Sequence, residues 1–121
     1  MERVQWVRVS GPSMVPTLHH GDLVLVRRGA TIRPGDVVLA RFHSMPERLV
    51  LKRADHPVDS GWWLASDNEF AGGDSEVHGP AEGLGRVLLR VSPPGRGVRR
   101  MWRSPTRVRR GGRSWENEIS G

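Results

Sequence analysis

The sequence predicts a mainly β domain, built as a folded sheet or a barrel and followed by a basic tail. Short runs rich in valine and leucine recur through the first three quarters of the chain. Clusters of glycine, proline, aspartate and asparagine separate these runs, as expected for strands joined by tight turns. No long segment shows the 3.6-residue period of an amphipathic helix. A chain of 121 residues can bury one modest core, so we expect one domain over residues 1–93 and a tail over residues 94–121.

Six strands are expected in the domain. The first mixes polar and apolar side chains, as in an edge strand, whereas Leu-Val-Leu-Val in the second is a continuous apolar run, as in a strand buried on both faces. A Gly-Asp turn precedes the second strand and recurs before the third. One helical turn is expected after Ser13, where Pro16 limits its length. The six segments are 4–9, 23–26, 36–42, 49–53, 62–64 and 87–89.

Charge separates the domain from the tail. Residues 1–93 contain eleven basic and eleven acidic side chains and carry no net charge. Residues 94–121 contain eight arginines and two glutamates, which account for the whole net charge of +6. We therefore predict a disordered arginine-rich tail and no specific nucleic-acid partner for the domain. Contact of the tail with an anionic membrane surface is a weaker alternative.

Composition also limits the compartment and the chemistry. Cysteine is absent, which excludes disulfides, thiolate metal sites and cysteine nucleophiles. No apolar run approaches the roughly 18 to 20 residues that cross a bilayer, and residues 1–9 are too polar for an anchor or a secretory leader. We expect a cytoplasmic protein, with a peripheral membrane location as the alternative. The histidines lack a metal-binding spacing, so no metal or other cofactor is expected.

Ser13 and Lys52 are the candidate catalytic residues. Ser13 follows the first strand in a turn bounded by glycine and proline, where a serine by itself is equally typical of a turn or a helix cap. Lys52 is the single lysine beside 18 arginines, and lysine can act as a base where arginine cannot. Along the expected strand Lys52 shares a face with Val50, so burial would lower the pKa of the amine. A neutral amine can accept the proton of an attacking serine.

Two alternatives remain from residue types alone. His19 and His20 follow Ser13 closely in sequence, so a Ser-His arrangement is conceivable, although both lie at the edge of a turn. Lys52 could also be a surface lysine whose aliphatic stem runs past the strand.

The order of several short motifs resembles that of type I signal peptidases. The resemblance covers residues 9–91, and the motifs stand in the same order and at similar spacing. Among relatives of that clan, the Trp-Trp-Leu strand and the short chain are similar to the bacterial maturation protease of nickel-type superoxide dismutase. The matching motifs are 11–18, 21–26, 35–38, 52–53, 67–68, 74–75 and 79–80.

The resemblance implies a signal-peptidase and SOS-repressor type of β fold and a serine endopeptidase that removes an N-terminal segment from a precursor, here that of nickel superoxide dismutase. It implies that Ser13 is the nucleophile, that its backbone N–H belongs to the oxyanion hole, and that Lys52 is the general base. The substrate would lie extended beside the first strand. Residues implied in substrate binding are Ser10, Gly11, Pro12 and Met14, and those implied in support of the site are Asp67, Asn68, Asp74 and Ser75.

The chain departs from the motif pattern at four positions. Gly11 stands where a side-chain hydroxyl often joins the oxyanion hole, and Ser66 stands where glycine is usual. Gly72 replaces a serine that commonly orients the lysine amine, and Glu76 replaces an arginine that would pair with Asp74. Carboxylates near the lysine would raise its pKa and weaken the base.

Because of these departures, other functions remain as alternatives. A catalytically impaired β module that binds partners through its basic tail is one, and signal-peptidase-like processing at a membrane is another. A self-cleaving repressor-type protease is disfavoured, because we would expect an additional domain before the serine and only 12 residues precede Ser13.

Overall fold

The structure, a computed structural model, describes residues 3–92, 101–103 and 116–120. The described part is mainly β, as predicted, and all six expected strands are present, most of them longer than expected. The elements are β1 (Arg3–Ser10), β2 (Leu23–Arg28), β3 (Val37–Phe42), β4 (Val50–Val58), β5 (Gly61–Ala65), α1 (Ser75–His78), β6 (Ala81–Val91), β7 (Met101–Arg103) and β8 (Glu116–Ser120).

The segment after Ser13 forms one helical-type turn that does not continue into a helix. That segment forms hydrogen-bonded turns, in which the Leu18 N–H donates to Met14 O at 2.8 Å. The described helix lies at Ser75–His78 instead, where Asp74 caps the N-terminus by accepting from the Glu76 N–H at 3.1 Å.

The tail prediction needs a correction at two segments. Within 94–121, residues 101–103 and 116–120 form β7 and β8, which pair with β6 and with β1. Unpaired backbone groups at a sheet edge can bond to a strand of almost any sequence. The low hydrophobicity of the tail therefore did not prevent β7 and β8 from pairing with the sheet. The remainder of 94–121 lies outside the described residues.

Strand pairing folds the sheet back on itself. The strands lie in the order β2-β1-β8-β4-β3-β6-β5, and β2 also pairs with β6 while β4 also pairs with β5. The long strand β6 joins the two parts of the sheet, since its first half pairs with β3 and its second half with β2. This arrangement confirms the folded sheet that the turn spacing predicted.

Alternation along β3 and β4 separates two apolar clusters. Val37 and Leu39 of β3 join the cluster that contains Leu51 of β4, whereas Val38 joins the cluster that contains Val50. Successive side chains of a strand point to opposite faces, so Lys52 must share the face of Val50. Val38 is also the cross-strand neighbour of Lys52. The single lysine therefore stands on an apolar face, as the sequence predicted.

Candidate active site

The turn over residues 11–18, here called the nucleophile turn, carries Ser13. Its first residue, Gly11, has φ +91°, a conformation that favours glycine over residues with a side chain. A residue with a side chain at this position would be strained in this conformation. Met14 and Leu18 are fully buried in the same cluster as β1 and β2, and so anchor the turn in the core. Ser13 itself is only 5% exposed.

Met14 requires a correction. The resemblance placed its side chain in substrate binding, but it is fully buried in the core and does not line the pocket that contains Ser13. A residue that follows a buried serine in a tight turn can direct its side chain inward, and a flexible thioether fills such space well.

A second segment, here called the glycine loop and comprising residues 67–74, faces the nucleophile turn. Its Asn68 makes two bonds to that turn: its N–H donates to Ser13 O at 2.8 Å, and its Nδ2 donates to Pro12 O at 3.1 Å. Asn68 therefore holds the backbone on both sides of the nucleophile position, and its supporting role in catalysis stays a prediction.

Asp67 joins the two segments to β4. Its carboxylate accepts hydrogen bonds from Arg53 Nε at 3.0 Å, from Arg53 Nη2 at 2.5 Å and from Thr17 Oγ1 at 2.5 Å. Burial alone would raise the pKa of Asp67, but the hydrogen bonds from Arg53 and Thr17 and the arginine charge outweigh burial and lower it. The carboxylate is thus held ionised between the nucleophile turn and the strand of Lys52.

A pocket of about 390 Å³ opens where these segments meet. Ser13 and Lys52 both line it, together with three residues predicted to bind substrate. Its apolar wall comes from β3, β4 and the connection between them. The lining residues are Ser10, Gly11, Pro12, Ser13, Phe42, Met45, Arg48, Val50, Lys52, Ala71, Gly72, Gly73 and His78.

The two candidate catalytic groups differ in their bonding. Ser13 Oγ is buried and has no hydrogen-bond partner in the described part of the chain. Lys52, 4% exposed, donates from Nζ to Ser66 Oγ at 3.0 Å. Hydrogen bonds between catalytic groups often form only when substrate is bound, so the absence of a direct bond is compatible with a catalytic pair.

Burial lowers the pKa of Lys52 below its ordinary value of 10.5. Asp74 opposes this effect and raises the pKa, and Arg48 lowers it further. The sequence predicted that a carboxylate near the lysine would weaken the base, and the effect of Asp74 has that direction. Desolvation on the apolar face is nevertheless larger, so the amine loses its proton more readily than an exposed lysine does.

Ser75 occupies a different position from the other supporting residues. It is the first residue of α1, it is 1% exposed, and its Oγ accepts a hydrogen bond from the Leu64 N–H at 2.7 Å. It does not line the pocket. Its hydroxyl fixes the helix against β5, which places Asp74 near the amine.

The structure gives the histidine alternative little support. His20 Nδ1 accepts a hydrogen bond from the Gly11 N–H at 3.2 Å, so this ring nitrogen is bonded to backbone. Neither His19 nor His20 lines the pocket. His78 does line it and packs against Phe42, with ring centroids 4.9 Å apart. Sequence reasoning missed His78, since nothing in its local pattern links a residue after the glycine loop to β3.

β8 lies where the sequence analysis placed the substrate. It runs parallel to β1, with Glu116 opposite Trp6 and Ser120 opposite Ser10, and Ser120 also pairs with Val50 of β4. Ser10 and Val50 both line the pocket. The C-terminal end of β8 therefore reaches the pocket edge between β1 and β4.

Neither a metal centre nor a membrane span is found in the described residues. No group of three or more histidine and carboxylate side chains within 3–92 is placed to hold a metal ion. The short helix α1 is far below the length of a membrane-crossing helix, and the described chain has no other candidate.

Comparison with known protein families gives a match over most of the chain. Residues 1–87, which contain both candidate catalytic residues, match the Peptidase S24-like family. The chain belongs to this family. The match confirms the resemblance to the signal-peptidase and SOS-repressor clan. The likeness to the nickel superoxide dismutase maturation protease stays a prediction.

Curated relatives of this family member are named as proteases. The mitochondrial ATP-independent inner membrane protease subunit 1a of Arabidopsis thaliana is 35% identical, with 75% of this chain and 72% of the relative covered. The mitochondrial inner membrane protease subunit 1 of Mus musculus and that of Homo sapiens are each 32% identical, with 72% of this chain and 69% of the relative covered. No solved structure matches the chain.

Proposed function

We propose that the chain is a serine endopeptidase that uses Ser13 as nucleophile and Lys52 as general base to remove an N-terminal segment from a precursor protein. The observation that carries the proposal is a pocket lined by the chain's single lysine and by a buried serine hydroxyl that has no hydrogen-bond partner among the described residues. Burial on the apolar face favours the neutral amine that such a base requires. The family match and the protease names of the relatives support the reaction class.

The proposed reaction is acyl transfer in two steps. Lys52 accepts the Ser13 hydroxyl proton as Oγ attacks the scissile carbonyl, and the Ser13 N–H stabilises the oxyanion. The C–N bond then breaks, the lysine ammonium returns the proton to the leaving amine, and an ester to Ser13 remains. A water molecule, deprotonated by Lys52, attacks the ester and releases the carboxylate product and the free serine.

The proposed substrate binds as an extended strand between β1 and β4, where it would replace β8. An edge of this kind takes a peptide by main-chain hydrogen bonds. Ile119→Pro removes a backbone donor from β8, so we expect it to lower KM for a precursor without changing kcat, whereas Ile119→Ala keeps the donor. An unchanged KM in the proline variant would contradict replacement of β8.

The proposed place of action is the cytoplasm, with a peripheral membrane location as the alternative. The names of the relatives, which are inner membrane proteases, favour the alternative. Sedimentation of the full chain with vesicles of phosphatidylglycerol and phosphatidylcholine distinguishes them. Binding that persists at 150 mM salt would favour the membrane location over the cytoplasm, since screening at that ionic strength weakens a loose electrostatic contact.

The substrate class is tested with two purified precursors, that of nickel-type superoxide dismutase and a secretory preprotein. Wild type and Ser60→Ala, a matched exposed serine outside the pocket, are expected to make a single N-terminal cut detected by mass spectrometry. Ser13→Ala and Lys52→Arg are expected to make none, because arginine keeps its proton. Cleavage by Ser13→Ala would overturn the mechanism, and no cleavage of either precursor by folded wild type would overturn the assigned substrate class.

A further inference from the structure

Ser66, one of the four departures from the motif pattern, is hydrogen-bonded to the candidate general base Lys52. It directly follows β5, whose Ala65 pairs with Arg53 of β4. Continuing this antiparallel register by one residue puts Ser66 opposite Lys52. The position of Ser66 opposite the lysine thus continues the register of β4 and β5.

The hydrogen bonds of Ser66 give its oxygen one orientation. Ser66 Oγ donates its single proton to Gly72 O at 3.1 Å. The same oxygen accepts a hydrogen bond from Lys52 Nζ at 3.0 Å. Because the hydroxyl proton is committed to a carbonyl, the oxygen lone pairs remain for the amine. One N–H of Lys52 is thereby held against Ser66, and the rest of the amine is left for the pocket that Ser13 also lines.

The glycine loop cannot readily supply this hydroxyl itself. Gly72, which stands where the resembling enzymes carry a serine, has φ +66°, and Gly73 has φ +76°. Residues with side chains rarely adopt these conformations. A Cβ at Gly73 would lie 3.9 Å from Lys52 Nζ, so the loop passes close to the amine through its backbone. The loop contributes a carbonyl that orients Ser66.

We propose that Ser66 is the positioning residue of the catalytic lysine, with its hydroxyl replacing the one that is missing at Gly72. The proposal rests on the proposed function, because positioning matters for catalysis only if Lys52 is the base. Ser66 is assigned no bond to the substrate or to Ser13, and it acts through Lys52. It acts by fixing the amine, with the Gly72 carbonyl as the third member of the chain Nζ–H to Oγ–H to O=C.

The kinetic test compares Ser66→Ala with Ser66→Thr, which keeps the hydroxyl. Using the precursor that wild type cleaves, we expect Ser66→Ala to lower kcat roughly tenfold with KM unchanged, the effect of losing one hydrogen bond that aligns the base. Ser66→Thr is expected to restore most of kcat. Ser60→Ala, at the opposite end of β5, is the matched control and should match wild type. Equal kcat in wild type and Ser66→Ala would overturn the proposal.

A second measurement needs no substrate. Since Lys52 is the single lysine, protein labelled with 13C-lysine gives one Cε resonance whose titration by NMR reports this amine alone. Ser66→Ala removes an acceptor of a Lys52 N–H bond, which disfavours the charged ammonium. The midpoint of the Lys52 titration should therefore move to lower pH in Ser66→Ala and stay near that of wild type in Ser66→Thr. An unchanged midpoint in Ser66→Ala would overturn the contact. If this midpoint moves while no variant or wild type cleaves a precursor, the proposed function fails and the contact between Ser66 and Lys52 stands.

Discussion

The nucleophile turn and the glycine loop meet at one pocket but are held by different forces. The nucleophile turn is anchored by apolar burial, since Met14 and Leu18 both lie in the core. The glycine loop has Phe70 91% exposed and is fixed by polar bonds from Asp67 and Asn68. The side of the pocket that carries the nucleophile is therefore determined by packing, and the side that carries the lysine's partners by hydrogen bonds and charge.

The contrast between the nucleophile turn and the glycine loop explains where the chain departs from the motif pattern. Three of the four departures, Ser66, Gly72 and Glu76, lie in the glycine loop or close to its ends, where a polar contact can be supplied by a different residue at small cost to packing. Ser66 and Gly72 illustrate this, because a hydroxyl from the end of β5 reaches the amine that a side chain at Gly72 would otherwise serve. The buried residues of the nucleophile turn, Met14 and Leu18, match the pattern, since close-packed interiors tolerate little change of volume. The departure in that turn, Gly11, is not one of these buried residues.

The largest expected effect is on stability, from removing the anchor of the nucleophile turn. Met14→Ala empties part of the core and should lower the free energy of unfolding by about 3 kcal/mol, measured by urea denaturation. Phe70→Ala, an apolar truncation in the glycine loop, is the matched control and should change it by less than about 0.5 kcal/mol. Similar losses in both variants would contradict the contrast between the two regions.

A smaller loss is expected from the polar junction of the two regions. Asp67→Ala leaves Arg53 and Thr17 without their shared acceptor and should lower the free energy of unfolding by about 2 kcal/mol at pH 7. The folded-state pKa of Asp67 lies below the ordinary value of 3.8, so its contribution is present above pH 3.8 and is lost as the pH falls through the folded-state pKa. Wild type and Asp67→Ala should therefore converge in stability on acidification. A difference that stays constant from pH 7 to pH 2 would show that the carboxylate charge is not responsible.

The smallest expected effect is a shift in pH dependence. Asp74 raises the pKa of Lys52, so Asp74→Asn should lower that pKa and move the rising limb of kcat/KM to lower pH. Asparagine still caps α1, so the helix is retained. Arg48→Gln, which removes a charge that lowers the pKa, should move the limb to higher pH. Shifts of the same sign in both variants would contradict electrostatic control of the amine.

Much of the fold followed from local patterns. Valine and leucine runs bounded by Gly-Asp turns located the strands, because strand formation and turn chemistry are both encoded within a few residues. Alternation of side chains along a strand also placed Val50 and Lys52 on one face, opposite Leu51. The helix at Ser75–His78 was missed because four residues are too few to show a period.

The sequence by itself determined which residues could carry the chemistry: a serine in a tight turn, one lysine on an apolar strand face, and the motifs around Asp67 and Asn68. Only the tertiary structure decided their partners. It buried Met14 in the core, bonded Lys52 to Ser66, and laid β8 between β1 and β4. The physical reason is range. Alternation and turns act between neighbours in the chain, whereas these contacts depend on strand register and on segments far apart in sequence meeting at one pocket.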